Sequence, residues 1–377
     1  MDYSKKAIAL HKKHKGKVEI GLKIPLKTID DLSMAYTPGV GAVCQEIAKD
    51  KKKSFELTNR KNSVAIVCDG TAVLGLGDIG PEAGMPVMEG KSAIFKAFAD
   101  VDAVPLCINT QDTKEIIEFC KQIEPSFGGI NLEDISAPRC FEILEVLEKE
   151  LSIPVFHDDQ DGTAIVVLAG LINACRVSGK AMNDLKVVIN GAGAAGIATA
   201  RLLLAQGVGD IVLLDSQGVI YRTRKGLNKF KKEIALKTNR QNLKGGLVEA
   251  MIGADVFIGL SKPGLVNAKM IKSMSAGPII FAMANPVPEV MPEIALKAGA
   301  SVVGTGRSDF PNQINNALVF PGIFKGFIDN KVKTVTQKMK LKAAIALAYV
   351  VKKSSKNKIL PNVTSKEAVK AIARAIK

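Results

Sequence analysis

The sequence predicts an α/β protein of two domains, one of them a doubly wound parallel sheet and the other a smaller α/β unit before it, and three observations carry that prediction. The first is a series of short, unbroken apolar runs bounded by Gly, Asp, Pro or Asn: Ser63 to Cys68, Lys186 to Ile189, Ile211 to Leu214, Val256 to Gly259 and Ile279 to Met283. Runs of that length read as buried strands. The second is Gly191-Ala192-Gly193-Ala194-Ala195-Gly196, set between such a strand and the apolar helical stretch Ile197 to Ala205. The third is a pair of apolar runs that end in adjacent carboxylates, Glu133-Asp134 and Asp158-Asp159. Both pairs stand where strands would stop, and the carboxyl edge of an open α/β sheet is where ligands bind.

At 377 residues, with 47% hydrophobic and 24% charged side chains, the chain has the length and composition of a two-domain globular protein. Its formal net charge of +15 invites comparison with nucleic-acid-binding proteins. The excess comes largely from scattered runs such as Lys51-Lys52-Lys53 and Lys352-Lys353, and with no Trp and 5% aromatics no base-stacking platform is evident. No nucleic-acid partner is therefore expected, and the basic surface suits attraction of small anions. Six cysteines form no C-x-x-C pair, and three histidines are too few for a His-based zinc centre. No signal-like start is present, and the apolar run Ala343 to Val351 is far shorter than a membrane span. A cytoplasmic protein without a membrane partner is the expectation.

In chain order, a Lys-rich segment to Lys17 is expected to be helical. Tyr36-Thr37-Pro38-Gly39-Val40-Gly41 follows as a turn. After the first strand comes Gly75-Leu76-Gly77-Asp78-Ile79-Gly80, a first G-x-G-x-x-G. Pro81 to Pro86 is not expected to begin a long helix, so this copy reads as a loop in which Gly75 and Gly77 close over a ligand, not as a dinucleotide site. Gly90-Lys91-Ser92 lacks the glycine spacing of a phosphate-binding loop. It leaves Lys91 near a helix N-terminus, where dipole and burial would lower its pKa into the range of a general base. The two acidic strand ends together offer hard oxygens for Mg²⁺ or Mn²⁺.

The second glycine motif has both a strand before it and a helix after it, which makes Gly191, Gly193, Ala194, Ala195 and Gly196 a dinucleotide-binding turn of the Rossmann type. Asp215 ends the next strand, 19 residues past Gly196. An acid at that spacing bonds the ribose hydroxyls of NAD⁺ and repels a 2′-phosphate. Arg222, Arg224 and Lys225 lie close enough in sequence to bind that phosphate instead, so NADP⁺ stays open. Asn285 follows another strand and is expected to face the nicotinamide end of the cofactor, and Asn315-Asn316 is a further polar pair before a turn. Thr364 and Glu367 suggest a capping box opening a final helix.

Tyr36-Thr37-Pro38-Gly39-Val40, Val87-Met88-Glu89-Gly90-Lys91, Asn131-Leu132-Glu133-Asp134, His157-Asp158-Asp159, the second glycine motif and Asn315-Asn316, in that order, resemble malic enzymes of the small bacterial type over nearly the whole chain. The resemblance implies oxidative decarboxylation of L-malate to pyruvate and CO₂ with NAD⁺ or NADP⁺ and a divalent cation, in a homodimer or higher homo-oligomer. It implies Lys91 as general base, Tyr36 as general acid and Asp158 as the partner of Lys91. It further implies Glu133, Asp134 and Asp159 as metal ligands, with Asn285 and Asn316 holding substrate or cofactor. On this reading residues 1–160 form the malate- and metal-binding domain, and 161–377 the NAD(P)-binding domain with C-terminal helices returning to the first.

Two positions depart from the family. Val73 stands where larger animal-type enzymes carry a substrate-binding arginine, and Asp161 stands where relatives usually show His or Gln. The phosphotransacetylase-like extension of some bacterial relatives is not expected. Two other readings compete: an NAD-dependent 2-hydroxy-acid dehydrogenase without decarboxylation, which would need no metal, and a basic nucleic-acid-binding protein on a nucleotide-binding fold, which would bind in a salt-sensitive way without malate turnover.

Overall fold

A computed structural model of the protein describes residues 3–377; the first two residues of the expected N-terminal helix lie outside the described residues. Among the described residues, ten strands form two sheets. The first contains β1 (Ser63–Cys68), β2 (Asp102–Cys107), β3 (Gly129–Glu133) and β4 (Val155–His157) in the order β2-β1-β3-β4, all parallel. The second contains β5 (Lys186–Asn190), β6 (Asp210–Asp215), β7 (Gly218–Val219), β8 (Val256–Gly259), β9 (Ile279–Ala282) and β10 (Val302–Thr305). Its order is β10-β9-β8-β5-β6-β7, with only the short β7 antiparallel. The α/β class with parallel sheets is as the sequence predicted.

The apolar runs become strands because helices cover both faces of each sheet. Every residue of β1 and β3 is buried, which is why these strands read as continuous rather than alternating. Pro105 is tolerated in β2 because β2 is an edge strand. In the first sheet the order in which strands are added reverses between β1 and β3, and in the second between β5 and β8. Those two reversals open crevices beyond the strand ends, and the candidate residues gather there.

One sequence expectation fails here. Pro81 to Pro86 does begin a long helix, Pro81–Ala99. Pro81 occupies the first helical position, where its missing N–H has no intrahelical partner to lose. Pro86 forfeits a single hydrogen bond one turn in, and burial of Met88, Lys91, Ser92 and Phe95 outweighs it. Lys91 therefore lies in mid-helix, not at an N-terminus. A smaller correction concerns the last helix, Lys366–Ala375, which is capped by Ser365, not Thr364. The stretch Asp158–Ser178 is 21 residues long and apolar enough to cross a membrane, but 72% of its most apolar 18-residue window is buried inside the protein.

The helix Phe320–Asp329 ties the C-terminal half of the chain to the first sheet. Phe324 packs edge-on against Phe95, Phe156 and Phe327, with centroids 5.3, 6.0 and 5.5 Å away, and abuts Gly129 of β3, where an added Cβ would lie 3.1 Å from its ring. Phe324→Ala should lower the stability of the cooperative unfolding step in urea by about 3–5 kcal/mol, the range for a fully buried aromatic. A loss below about 1 kcal/mol would mean that this cluster does not join the two halves.

Candidate active site

The acidic strand ends and Lys91 meet at the crevice of the first sheet. Glu133 is the last residue of β3, and Asp134 follows in a left-handed conformation (φ +53°) that turns its carboxylate back over the strand end. β4 stops at His157, and Asp158–Gly162 forms one wide helical turn before the helix Thr163–Ser178. Asp158 and Asp159 are thus not helix caps. Asp159 Oδ2 accepts from the Asp134 backbone N–H at 2.8 Å, joining the two acidic ends. One carboxylate oxygen from each of Glu133, Asp134 and Asp159 lies within 4.8 Å of the others.

Lys91 enters from its helix with its ammonium buried among these acids. Its Nζ donates to Asp158 Oδ2, lies 2.7 Å from Glu133 Oε1 and sits 4.3 Å above the ring of Phe320. Glu133 Oε2 takes a second bond from Asn131 Nδ2 at 2.9 Å. Gly162 has no room for a side chain, because a Cβ there would fall 1.8 Å from Asp158 Oδ1. The Cβ of Asn316 lies 3.4 Å from the same point.

The electrostatics follow from four buried or partly buried carboxylates facing one ammonium. Burial raises all four, opposed by Lys91. Glu133 and Asp158 are pushed up to about 7 and Asp159 to about 6. Asp134, raised by burial and then by Asp159 and Glu133, reaches about 9. Burial alone would depress Lys91, but Asp158, Glu133 and Asp159 together outweigh it and hold its pKa above the ordinary value. This reverses the sequence expectation of a lowered Lys91: without a counter-charge, these acids keep its proton in place. His157, fully buried, falls to about 4 and stays neutral. A divalent cation fits this set: three hard oxygens converge, the negative charge exceeds the positive, and Asp134 Oδ2 is buried with no partner.

The crevice of the second sheet has the form of a dinucleotide turn. Gly191 adopts φ +121°, and a Cβ on it would strike Leu260 O at 2.4 Å. A Cβ on Gly196 would strike Gly191 O at 1.7 Å, so this glycine lets the helix Ala194–Ala205 approach its strand. Gly193 faces open space, leaving room for a pyrophosphate at the helix N-terminus formed by Ala194 and Ala195. Asp215 ends β6 as expected, but it is not free. Arg224 Nη2 and Lys231 Nζ each donate to it at 2.6 Å, and despite its burial they hold its pKa below the ordinary range. Arg222 and Lys225 do not reach it. The contribution of Lys231 is invisible in the sequence, since a lysine 16 residues on fits no spacing rule.

Across the cleft, Asn285 follows β9, and its Nδ2 lies 2.8 Å from where a Cβ on Gly306 would be. Its carbonyl oxygen would sit 2.1 Å from a Cβ on Gly75, so the first glycine motif lies directly on the tip of the second sheet. Gly77, with φ +81°, turns that loop. Val73 is buried against Gly84 and offers the cleft nothing polar. Tyr36 is not brought to the cluster: it stands 68% exposed beyond the helix Ile29–Ala35, and no described hydrogen bond links it to Lys91 or the acids.

These features define a dinucleotide-binding α/β enzyme with three carboxylates that could hold a cation beside a buried lysine. Residues 15–148 match the family model for the malic enzyme N-terminal domain, and residues 160–377 that for the malic enzyme NAD-binding domain. The chain is 54% identical to a NAD-dependent malic enzyme of Geobacillus stearothermophilus over 96% of this chain and 76% of that one. It is 52% identical to a bifunctional malic/malolactic enzyme of Bacillus subtilis over 100% and 92%. Among solved structures, a NAD-dependent malic enzyme from Thermotoga maritima superposes with a TM-score of 0.95 at 46% identity, covering 98% of each chain. The chain belongs to the malic enzyme family.

The raised carboxylates make a testable statement about the metal-free protein. In the unfolded chain they ionise near pH 4. Folded, they keep protons up to about pH 6 for Asp159, 7 for Glu133 and Asp158 and 9 for Asp134. Their contribution to stability is complete below the unfolded value and is lost as pH climbs through the folded ones. Lys91 stays charged in both states over that range, and the opposite effect of His157 is complete by about pH 6.5. Melting in EDTA should therefore fall between about pH 6.5 and 9, and saturating Mn²⁺ should shrink the decline to the share of Glu148, which burial outside the cluster raises to about 7. A metal-free melting temperature that is flat across that range would contradict this charge balance.

Proposed function

We propose that this malic enzyme oxidises L-malate with NAD⁺ or NADP⁺ and decarboxylates the product to pyruvate and CO₂, with Lys91, Asp158, Glu133, Asp134, Asp159 and Tyr36 dividing the work. The observation that carries this reading is Lys91 buried between Asp158 and Glu133 beside the three-carboxylate cluster. Glu133, Asp134 and Asp159 would hold Mg²⁺ or Mn²⁺. The cation would supply charge that polarises the substrate's hydroxyl and ketone oxygens and offsets the acids that keep Lys91 protonated.

Lys91 Nζ, once its own proton has passed to Asp158, would accept the malate hydroxyl proton, and the nicotinamide would supply the hydride acceptor when bound. Asp158, raised toward neutrality and hydrogen-bonded to Nζ, takes up the displaced ammonium proton, so the pair moves charge without exposing it to water. Asn316, beside Gly162, orients the substrate, and Asn285 orients the nicotinamide and substrate from the second sheet. The Gly75–Gly77 loop excludes water from above. With Asp215 already paired to Arg224 and Lys231, its repulsion of a 2′-phosphate is muted. NAD⁺ is the preferred cofactor and NADP⁺ is accepted.

Tyr36, the proposed proton donor to the enolate carbon, reaches a site only in an assembly. The helices Tyr3–His14, Ile29–Ala35 and Val40–Lys49 bury none of their residues, and Val18, Ile20, Leu22, Ile24 and Leu26 alternate along an exposed stretch, Ile20 at 98%. An apolar surface of that extent supports a homodimer in which this segment covers a second copy and delivers Tyr36 to the copy's Lys91. The cytoplasm, where six free thiols persist, is the proposed location.

Following reduced nicotinamide and pyruvate from L-malate with Mn²⁺ tests the whole reading. The two products should match in amount, with both nucleotides, and vanish with EDTA. Lys91→Ala and Tyr36→Phe should each lose at least about 100-fold, while co-refolding the two variants restores about a quarter of the wild-type rate, since only mixed dimers hold one intact site. Nicotinamide reduction without pyruvate would overturn the decarboxylation, and no recovery on mixing would place both residues in one chain.

A further inference from the structure

Asp161 sits in the turn that carries Asp158 and Asp159, and its carboxylate is buried. Each polar residue of that turn is fastened to a different element. Asp158 is held by Lys91 of the helix Pro81–Ala99, and Asp159 by the Asp134 backbone beyond β3. Gln160 donates from Nε2 to Cys140 O, on the helix Arg139–Glu150, at 3.2 Å. Asp161 is held from the far end of the chain: Lys340 Nζ, on the helix Gln337–Val350, lies 2.6 Å from its Oδ2, with only 13% and 11% of the two side chains exposed.

The surroundings explain why the cation is needed. Asp161 and Lys340 border a cavity of about 110 Å³, also bordered by Glu145, Glu148 and Arg201. Glu148 Oε1 is buried there without a hydrogen-bond partner, and Arg201 is engaged by Glu233 at 3.2 Å. Lys340 is thus the cation within ion-pair distance of Asp161. Without it, Asp161 would be a buried, unpaired carboxylate facing Glu148, and would be driven out of the cavity. The turn is a single helical turn of five residues, so movement at Asp161 shifts Asp159 two residues away.

We propose that Lys340 is a positioning residue for the cation site: through its ion pair with Asp161 it sets the turn that presents Asp159, and so couples the C-terminal helices to metal binding. The inference rests on Asp159 being a ligand, and one arm of the test examines that separately. Mn²⁺ affinity of the full-length protein is measured by electron paramagnetic resonance of the free ion, with NAD⁺ affinity by calorimetry and thermal melting in parallel. Lys340→Met should weaken Mn²⁺ binding about tenfold and leave NAD⁺ affinity within about twofold, and Lys340→Arg should restore most of the loss. Asp161→Asn should weaken Mn²⁺ similarly, and adding Lys340→Met to it should cause no further loss, because Lys340 acts through Asp161.

Asp159→Asn serves as the reference. If it weakens Mn²⁺ binding while Lys340→Met does not, the positioning role is wrong and the ligand set stands. If neither does, the ligand set itself has failed and the proposal with it. Parallel losses of Mn²⁺ affinity, NAD⁺ affinity and melting temperature that Lys340→Arg does not repair would mark Lys340 as a general packing residue and overturn the proposal. Should Lys340→Met not fold, Asp161→Asn alone decides: unchanged Mn²⁺ affinity overturns it.

Discussion

The structure depends on an imbalance of buried charge. Four carboxylates from two strand ends and one turn face a single ammonium, in a place where burial makes every unpaired charge expensive. Two features of the chain make that arrangement possible. Parallel strands β3 and β4 end side by side, so residues separated by 25 positions become neighbours. A 19-residue helix, Pro81–Ala99, then carries Lys91 to the same point from outside the sheet. Apolar side chains of similar volume in place of the whole charged set would pack as well or better, whereas removing Lys91 alone would strand buried carboxylates. Stability therefore does not account for these acids.

The second dependence is on contact between the halves of the chain. The ring of Phe320 lies under Lys91 while its neighbour Asn316 lies over Gly162, so one short stretch of the C-terminal half touches both the lysine and the acidic turn Asp158–Gly162. The tip of β9 meets Gly75 in the same way. Chemistry that joins a hydroxy acid to a nicotinamide needs both crevices to face each other with water shut out, and these small-residue contacts set that spacing. Gly75 and Gly162 are glycines because backbone or carboxylate oxygens occupy the place of their side chains.

Much of this was legible in the sequence because it is local. A buried strand, a glycine turn with its helix, and an acid at a strand end are each written within some twenty residues, and β1, β5 and the Gly191–Gly196 turn lie where the pattern put them. The errors came where a local rule met a tertiary one. Two prolines argued against a helix at Pro81, but the first is harmless at that position and the core absorbs the second. Helix-end reasoning lowered the pKa of Lys91, but three carboxylates from other elements raise it. The pairs Asp215–Lys231 and Asp161–Lys340 had no signature, since an ion pair between distant elements leaves no period or spacing to read.

The central claim is that Glu133, Asp134 and Asp159 are arranged for one cation beside Lys91. Diffraction from crystals grown with Mn²⁺, recorded at the manganese absorption edge, tests it most directly. The account predicts one strong anomalous peak per chain with a carboxylate oxygen of each of the three residues at about 2.0–2.3 Å. A peak elsewhere, or none with Glu133 still bound to Lys91, would contradict it.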